Sequence, residues 1–151
     1  MKKTVLLMAG VLATGLLSHC SKPSEDTIQQ AETEVFAVHD EVMPKIDDVM
    51  KLKKQLKQRI TSLDSLKANG SAAATVRTDE EREQAGRLSR DLTVADSLMM
   101  DWMSRYNSDT LTKVSPDDAL RYLDEQKTKI TDVKAKVNRS IEQARQFLGK
   151  K

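Results

Sequence analysis

Between Ile28 and Leu66 apolar residues recur at a spacing that only a helix satisfies. Ile28, Val35, Val42, Val49, Leu56 and Leu63 lie seven apart, and Ala31, Val38, Leu52 and Leu66 follow four of them by three. A repeat averaging 3.5 residues is the spacing of left-handed bundle packing, so the stretch predicts one long helix over about 26–67 with a continuous buried seam. Lys45 and Arg59 occupy two seam-adjacent positions, where their stems can lie along the edge with the charge in solvent. Pro44 interrupts the helix interior but sits off the seam. It removes one backbone hydrogen bond and crowds the preceding turn, which predicts a bend rather than a break.

Two further stripes follow. Asn69-Gly70 predicts the end of the first helix and a loop over 68–77, after which Thr78-Asp79-Glu80-Glu81 reads as a capping box. The second helix, about 79–107, carries Ala85, Leu88, Leu92, Ala95, Met99, Trp102 and Tyr106 at spacings of three and four. A polar loop is expected over 108–114. Ser115-Pro116-Asp117-Asp118 then opens a third helix, about 116–148, with a serine cap, proline in the first turn and acids at the positive end of the helix dipole. Its stripe is Leu120, Leu123, Ile130, Val133, Val137, Ile141, Ala144 and Leu148. Three amphipathic helices with short connections predict an all-α protein, an antiparallel three-helix bundle with a long, kinked first helix.

The first twenty residues obey a different logic. Lys2 and Lys3 precede an apolar run from Thr4 to Leu17 that ends in Leu17-Ser18-His19-Cys20. A basic start and an apolar run of about 14 residues read as a secretory signal, too short to span a bilayer. Cys20, the single cysteine, stands where a lipoprotein signal peptidase would leave it as the first mature residue. Leu17 and Ser18 fit the lipobox; His19, where Gly, Ala or Ser is usual, departs from it. The expected organisation is a cleaved signal peptide over 1–19, a lipidated Cys20 with a polar tether over 20–27, and a helical bundle over 28–151. Ser24 or Asp26 is the expected cap of the first helix. The expected location is the bacterial cell envelope, periplasmic face or cell surface, with the membrane engaged through lipid on Cys20.

With 25 basic and 23 acidic residues, charge is nearly balanced and gives no footprint for nucleic acid. Enzymatic readings fail on inventory: beyond Cys20 there is no thiol, His39 is the only histidine past the signal, and no glycine-rich phosphate loop occurs. No catalytic residue and no cofactor is therefore expected.

Counting back across the two turns puts Met43 level with Met103, His39 level with Asn107, and Tyr122-Leu123 in the same layer. Thioethers and imidazole are soft ligands, so His39, Met43 and Met103 are the candidates for copper or haem; the competing reading is that methionines fill irregular space around Pro44 and Trp102. Asp40, Glu41, Asp47 and Asp48 would suit a hard cation, but read more simply as a solvated face. Lys51, Lys53, Lys54, Lys57 and Arg59 would suit an anionic surface, but read more simply as partners for acids on neighbouring helices. The same counting leaves Ile28 to Val38 projecting ~20 Å toward Cys20. That overhang is a stalk, a surface for a second copy, or a site covered by the 108–114 loop, and its apolar Ile28, Val35 and Val38 make it the expected interaction surface. An envelope protein partner or a homo-oligomer follows from this.

His39 to Lys45 (HDEVMPK) ahead of a long amphipathic helix, with Met99 to Met103 (MMDWM) further on, resembles a group of small uncharacterised envelope lipoproteins of Bacteroidota-type bacteria, some of which carry the label "viral A-type inclusion protein". The resemblance covers roughly Thr27 to Leu148. It implies a lipid-anchored helical envelope protein and brings no activity with it. The reading reached is a non-enzymatic, membrane-anchored structural or protein-interaction module, with a ligand-binding module holding copper or haem as the alternative.

Overall fold

A computed structural model describes residues 24–68 and 72–149. The signal segment, Cys20, most of the tether, the Asn69-Gly70 turn and the two C-terminal lysines lie outside the described residues. The fold is all-α. Helix α1 runs Glu25–Ala68, α2 Ala72–Arg105, a short α3 Asp109–Lys113, and α4 Pro116–Phe147. Each pair of the three long helices is in contact.

The three stripes read from the sequence are the core. Val35, Val42, Val49, Leu52, Leu56 and Leu63 of α1 meet Ala85, Leu88, Leu92, Ala95, Met99 and Trp102 of α2, and Leu123, Ile130, Val133, Val137, Ile141 and Ala144 of α4. Each large apolar side chain so buried contributes roughly 1.5–3 kcal/mol, which is what holds a chain with no disulfide together. Leu66 and Leu120 are the exceptions: Leu66 is exposed, and Leu120 is half-buried while its neighbour Ala119 is fully buried. Helix α1 starts inside the expected tether: Ser24 caps it, its Oγ accepting from the Thr27 N–H at 3.3 Å. It passes through Pro44 bent but unbroken, with the proline on the exposed side. Helix α4 is capped as expected, Ser115 Oγ accepting from the Asp118 N–H at 3.2 Å, and Gly149 closes it with a left-handed φ of 68° that a side chain would oppose.

Three expectations are corrected. The loop over 68–77 is far shorter, because α2 already begins at Ala72. Three consecutive alanines have the highest helix propensity and carry the helix back past Thr78, so the apparent capping box lies in a helix interior. The polar loop over 108–114 contains α3, whose Leu111 tucks against the core. The overhang is at the other end. Glu34–Lys127, Glu41–Lys134 and Lys45–Asn138 each join α1 to α4 across 93 positions. By that register α4 starts level with the start of α1, while Phe147 is level with about residue 54. Helix α4 and α3 therefore cover the stretch from Ile28 to Val38: Val35 is 0% exposed, and Ile28 and Val38 pack against the core. These three residues are bundle interior and margin, not a free interaction surface. What projects instead is the α1–α2 hairpin beyond residue 54, by roughly 20 Å. Lys67–Asp79 and Asp64–Arg82 pairs, at 2.7 and 2.5 Å, close its two helices onto each other.

Leu56→Ala is expected to cost about 2–5 kcal/mol, and Ser115→Ala about 0.5–2 kcal/mol, in urea unfolding followed by circular dichroism. A loss below about 0.5 kcal/mol at Leu56 would contradict its place in the core.

Candidate functional site

The chemically richest part of the molecule is a row of rings near the N-terminal end of α1, where α1, α2 and α4 meet. Tyr106, just past the end of α2, lies one turn from Trp102, and Phe36 and His39 share a flank of α1 beside its seam. Centroid separations are 5.1 Å for Phe36–Tyr106, 6.2 Å for Phe36–His39, 5.6 Å for His39–Trp102, 5.4 Å for Trp102–Tyr106 and 6.0 Å for Tyr106–Tyr122. Pairs at these distances contribute about 0.5–1.5 kcal/mol beyond their burial. Polar tips tie the row to three elements. The Tyr106 hydroxyl donates to Glu32 Oε1 at 2.8 Å, and the Tyr122 hydroxyl accepts from the Asn107 N–H at 2.9 Å. His39 Nδ1 lies 2.9 Å from Asp40 Oδ1. The Trp102 indole N–H is buried and meets no acceptor among the described residues. Such a group costs about 1–3 kcal/mol, less than the burial of the indole ring supplies.

His39 is thus brought to Trp102, one turn nearer than the Asn107 level expected, and Tyr122 joins it. The methionines separate. Met99 is fully buried and Met43 packs on the core margin, whereas Met103 is 41% exposed on the outside of α2. His39, Met43 and Met103 therefore do not converge on an enclosed space. Among the described residues no three His, Cys, Asp or Glu side chains are placed to share a metal ion. The acidic group disperses: Asp40 faces His39, Glu41 pairs with Lys134, and Asp48 with Arg145 at 2.7 Å. In the basic stretch, Lys53 meets Asp96 at 3.7 Å and Arg59 Nε meets Glu81 at 2.8 Å, while Lys51, Lys54 and Lys57 face solvent. The two seam-adjacent cations thus hold partners, Lys45 on Asn138 and Arg59 on Glu81, rather than merely lying along the edge.

Below the ring row an open cleft of about 660 Å³ lies between the starts of α1 and α4, with Ile28, Glu32, Asp109, Leu111 and Pro116 among its walls. Sequence reading missed Glu32, Phe36 and Tyr106 as members of one cluster. The available signal was Glu32, Phe36, His39 and Met43 spaced four, three and four along one flank of α1. Nothing in the row is an activated nucleophile; its arrangement stiffens the junction of three elements. Among the described residues no helix is long and apolar enough to cross a membrane.

No family model, curated protein or solved structure matches this chain.

Burial of Tyr106, reinforced by its hydrogen bond to Glu32, pushes the phenol above its ordinary range. The folded state therefore holds this proton more tightly than the unfolded chain. The contribution is complete below about pH 10, the unfolded value, and is lost as pH rises beyond it. Unfolding midpoints should fall above pH 10 in the wild type and fall less in Tyr106→Phe; equal slopes would place the effect elsewhere. Trp102→Ala should cost about 3–5 kcal/mol, against less than about 1 kcal/mol for the outward Met103→Ala, measured by urea unfolding.

Proposed function

We propose that this chain is a lipid-anchored protein of the bacterial envelope whose helical bundle acts as a non-enzymatic structural or protein-interaction module. The observation that carries the reading is the N-terminal sequence: Lys2-Lys3, an apolar run, and Leu17-Ser18-His19-Cys20 with the single cysteine at its end. Acylation of Cys20 through thioether and amide bonds would supply several chains, at ~0.8 kcal/mol per buried methylene, enough for stable retention.

The start of the bundle supports this reading. Ser24 caps α1 four positions after Cys20, a reach of at most ~14 Å when extended. A bundle on so short a leash keeps the end bearing the ring row against the bilayer and points the α1–α2 hairpin outward. Helix α1 spans 44 residues, ~66 Å, so the hairpin tip would stand well clear of the surface. Apart from the Trp102 indole N–H, the polar groups of the ring row are each held by a neighbouring residue, which suits a load-carrying base better than a reaction centre. The resemblance carried by His39 to Lys45 and Met99 to Met103 points the same way.

Cys20→Ala, or growth with globomycin, should release the chain from the membrane fraction and abolish incorporation of labelled palmitate. Unchanged membrane retention of the Cys20→Ala chain would overturn the anchor.

A further inference from the structure

Helix α1 changes sign along its length. From Glu25 to Met50 it carries eight acidic residues and one lysine; from Lys51 to Ala68 it carries six basic residues and one aspartate. The stretch of α2 beside that second part, Ala72 to Arg90, holds four of each sign, so the projecting hairpin keeps the excess of base. Charges on the flanks of α1 are met by its neighbours. Glu34, Glu41 and Asp48 reach Lys127, Lys134 and Arg145 of α4, and Lys53, Arg59 and Lys67 reach Asp96, Glu81 and Asp79 of α2. Lys51, Lys54 and Lys57 differ. They recur every three residues on the side of α1 turned away from its seam, all exposed, and none holds a hydrogen bond or ion pair among the described residues. No carboxylate lies within four positions of Lys54 or Lys57 along the helix. Like charges three and four apart weaken a helix, so the fold gains nothing from this row, and a bound anion would relieve its repulsion.

We propose that the row binds a linear anionic polysaccharide laid along the outer side of the hairpin. The proposal names a partner for the interaction module put forward above. The make-up of the face selects this occupant. Exposed residues between Lys51 and Ser65 are lysine, glutamine, threonine, serine and Asp64, with no apolar side chain among them. A protein interface needs an apolar or aromatic core and is poor in lysine and serine, so a folded partner finds no anchor here. A polysaccharide needs none, because hydroxyl and amide side chains can meet its sugars while the lysines meet its charges. Lysine ammoniums are compact charges on flexible stems and follow uneven charge spacing, without the planar match that an arginine fork requires.

A second lipid surface is a poorer fit. Toward the hairpin tip Arg59, Lys67 and Arg82 are each held by a carboxylate, which leaves Arg77 as the one free cation there among the described residues. A membrane met end-on would find that single charge, whereas a polymer running beside the hairpin finds three over about 9 Å. The upright orientation in this comparison rests on the anchor reading; the chemistry of the row does not. Three exposed charges give a weak contact per chain, and many copies along one polymer would multiply it.

The test uses the full chain in a nonionic detergent, with polygalacturonate fixed to a sensor surface and dextran, a neutral polysaccharide, as its control. The chain should bind polygalacturonate and not dextran. Raising the ionic strength to about 0.5 M should release it, since screening then acts over only a few ångströms. Lys54→Glu with Lys57→Glu should weaken binding about tenfold or more with helicity unchanged, and Lys54→Arg with Lys57→Arg should keep it. Lys113→Glu with Lys129→Glu makes the same change in net charge elsewhere and should bind as the wild type does. No binding to polygalacturonate, equal binding to dextran, or an equal loss in the Lys113/Lys129 variant would overturn the proposal. Capture by phosphatidylglycerol vesicles that depends on Lys54 and Lys57, without capture by polygalacturonate, would assign the row to a lipid surface and overturn it as well. Membrane retention is scored separately through Cys20→Ala, whose chain keeps the row, so failure of the anchor and failure of the row are read apart.

Discussion

Everything in this molecule depends on one strip of α1 staying dry. Val35, Val42, Val49, Leu56 and Leu63 are spaced seven apart and are all buried. No bond crosslinks the helices covalently, so their alignment follows from keeping those positions out of water. Two neighbours share the task unequally. Helix α2 covers the strip along most of its length in the antiparallel sense, and α4 covers only the first thirty or so positions, running parallel to it. The ion pairs between α1 and α4 lie on the rim of that contact. Lys127 and Lys134 hold the carboxyls of Glu34 and Glu41 below their usual range through hydrogen bonds, but those groups are solvated and fix register more than they add stability.

The ring row is a local consequence of the same strip. Where α3 turns under the bundle, apolar side chains large enough to bridge three elements are needed, and four of the chain's five aromatic residues gather there with His39. Trp102 fills the gap at the expense of an indole N–H without an acceptor, an exchange that favours packing over polar satisfaction. Methionine follows the same rule: Met99 fills core volume, and Met103, one turn on, does not.

How much of this was legible in the sequence differs by kind of signal. Periodicity survives averaging over many residues, so the stripes, the bend at Pro44 and the Ser115 cap were all readable. Register was not, because it depends on where turns fall. Ala72 to Arg77 looked like a loop only because Gly70 and the Thr78 motif were weighed above the propensity of three alanines. Treating 108–114 as a plain turn ignored that α3 occupies it. Together these errors slipped the α1–α4 register by about four helical turns and put the overhang at the N-terminal end of α1 instead of the hairpin end. The ring row was half legible: Trp102 and Tyr122 were placed in one layer, but Phe36 and Glu32 lie beside the seam, and only the tertiary fold brings them to Tyr106. Export, lipidation and location follow from residues 1–23, and remain proposals.

The shortness of α4 has a mechanical side. Over its first two-thirds α1 is braced by two helices; beyond about residue 54 it has only α2, and the pairs there are exposed lysine–aspartate and arginine–carboxylate bridges. Backbone amides along a single continuous helix should then exchange with solvent on a gradient, slowest near Val42 and Val49 and fastest toward Leu66. A rod stiff at its base and compliant at its tip transmits little of the tip's motion to the root. Such a tip can bend toward whatever it meets while the base keeps its packing.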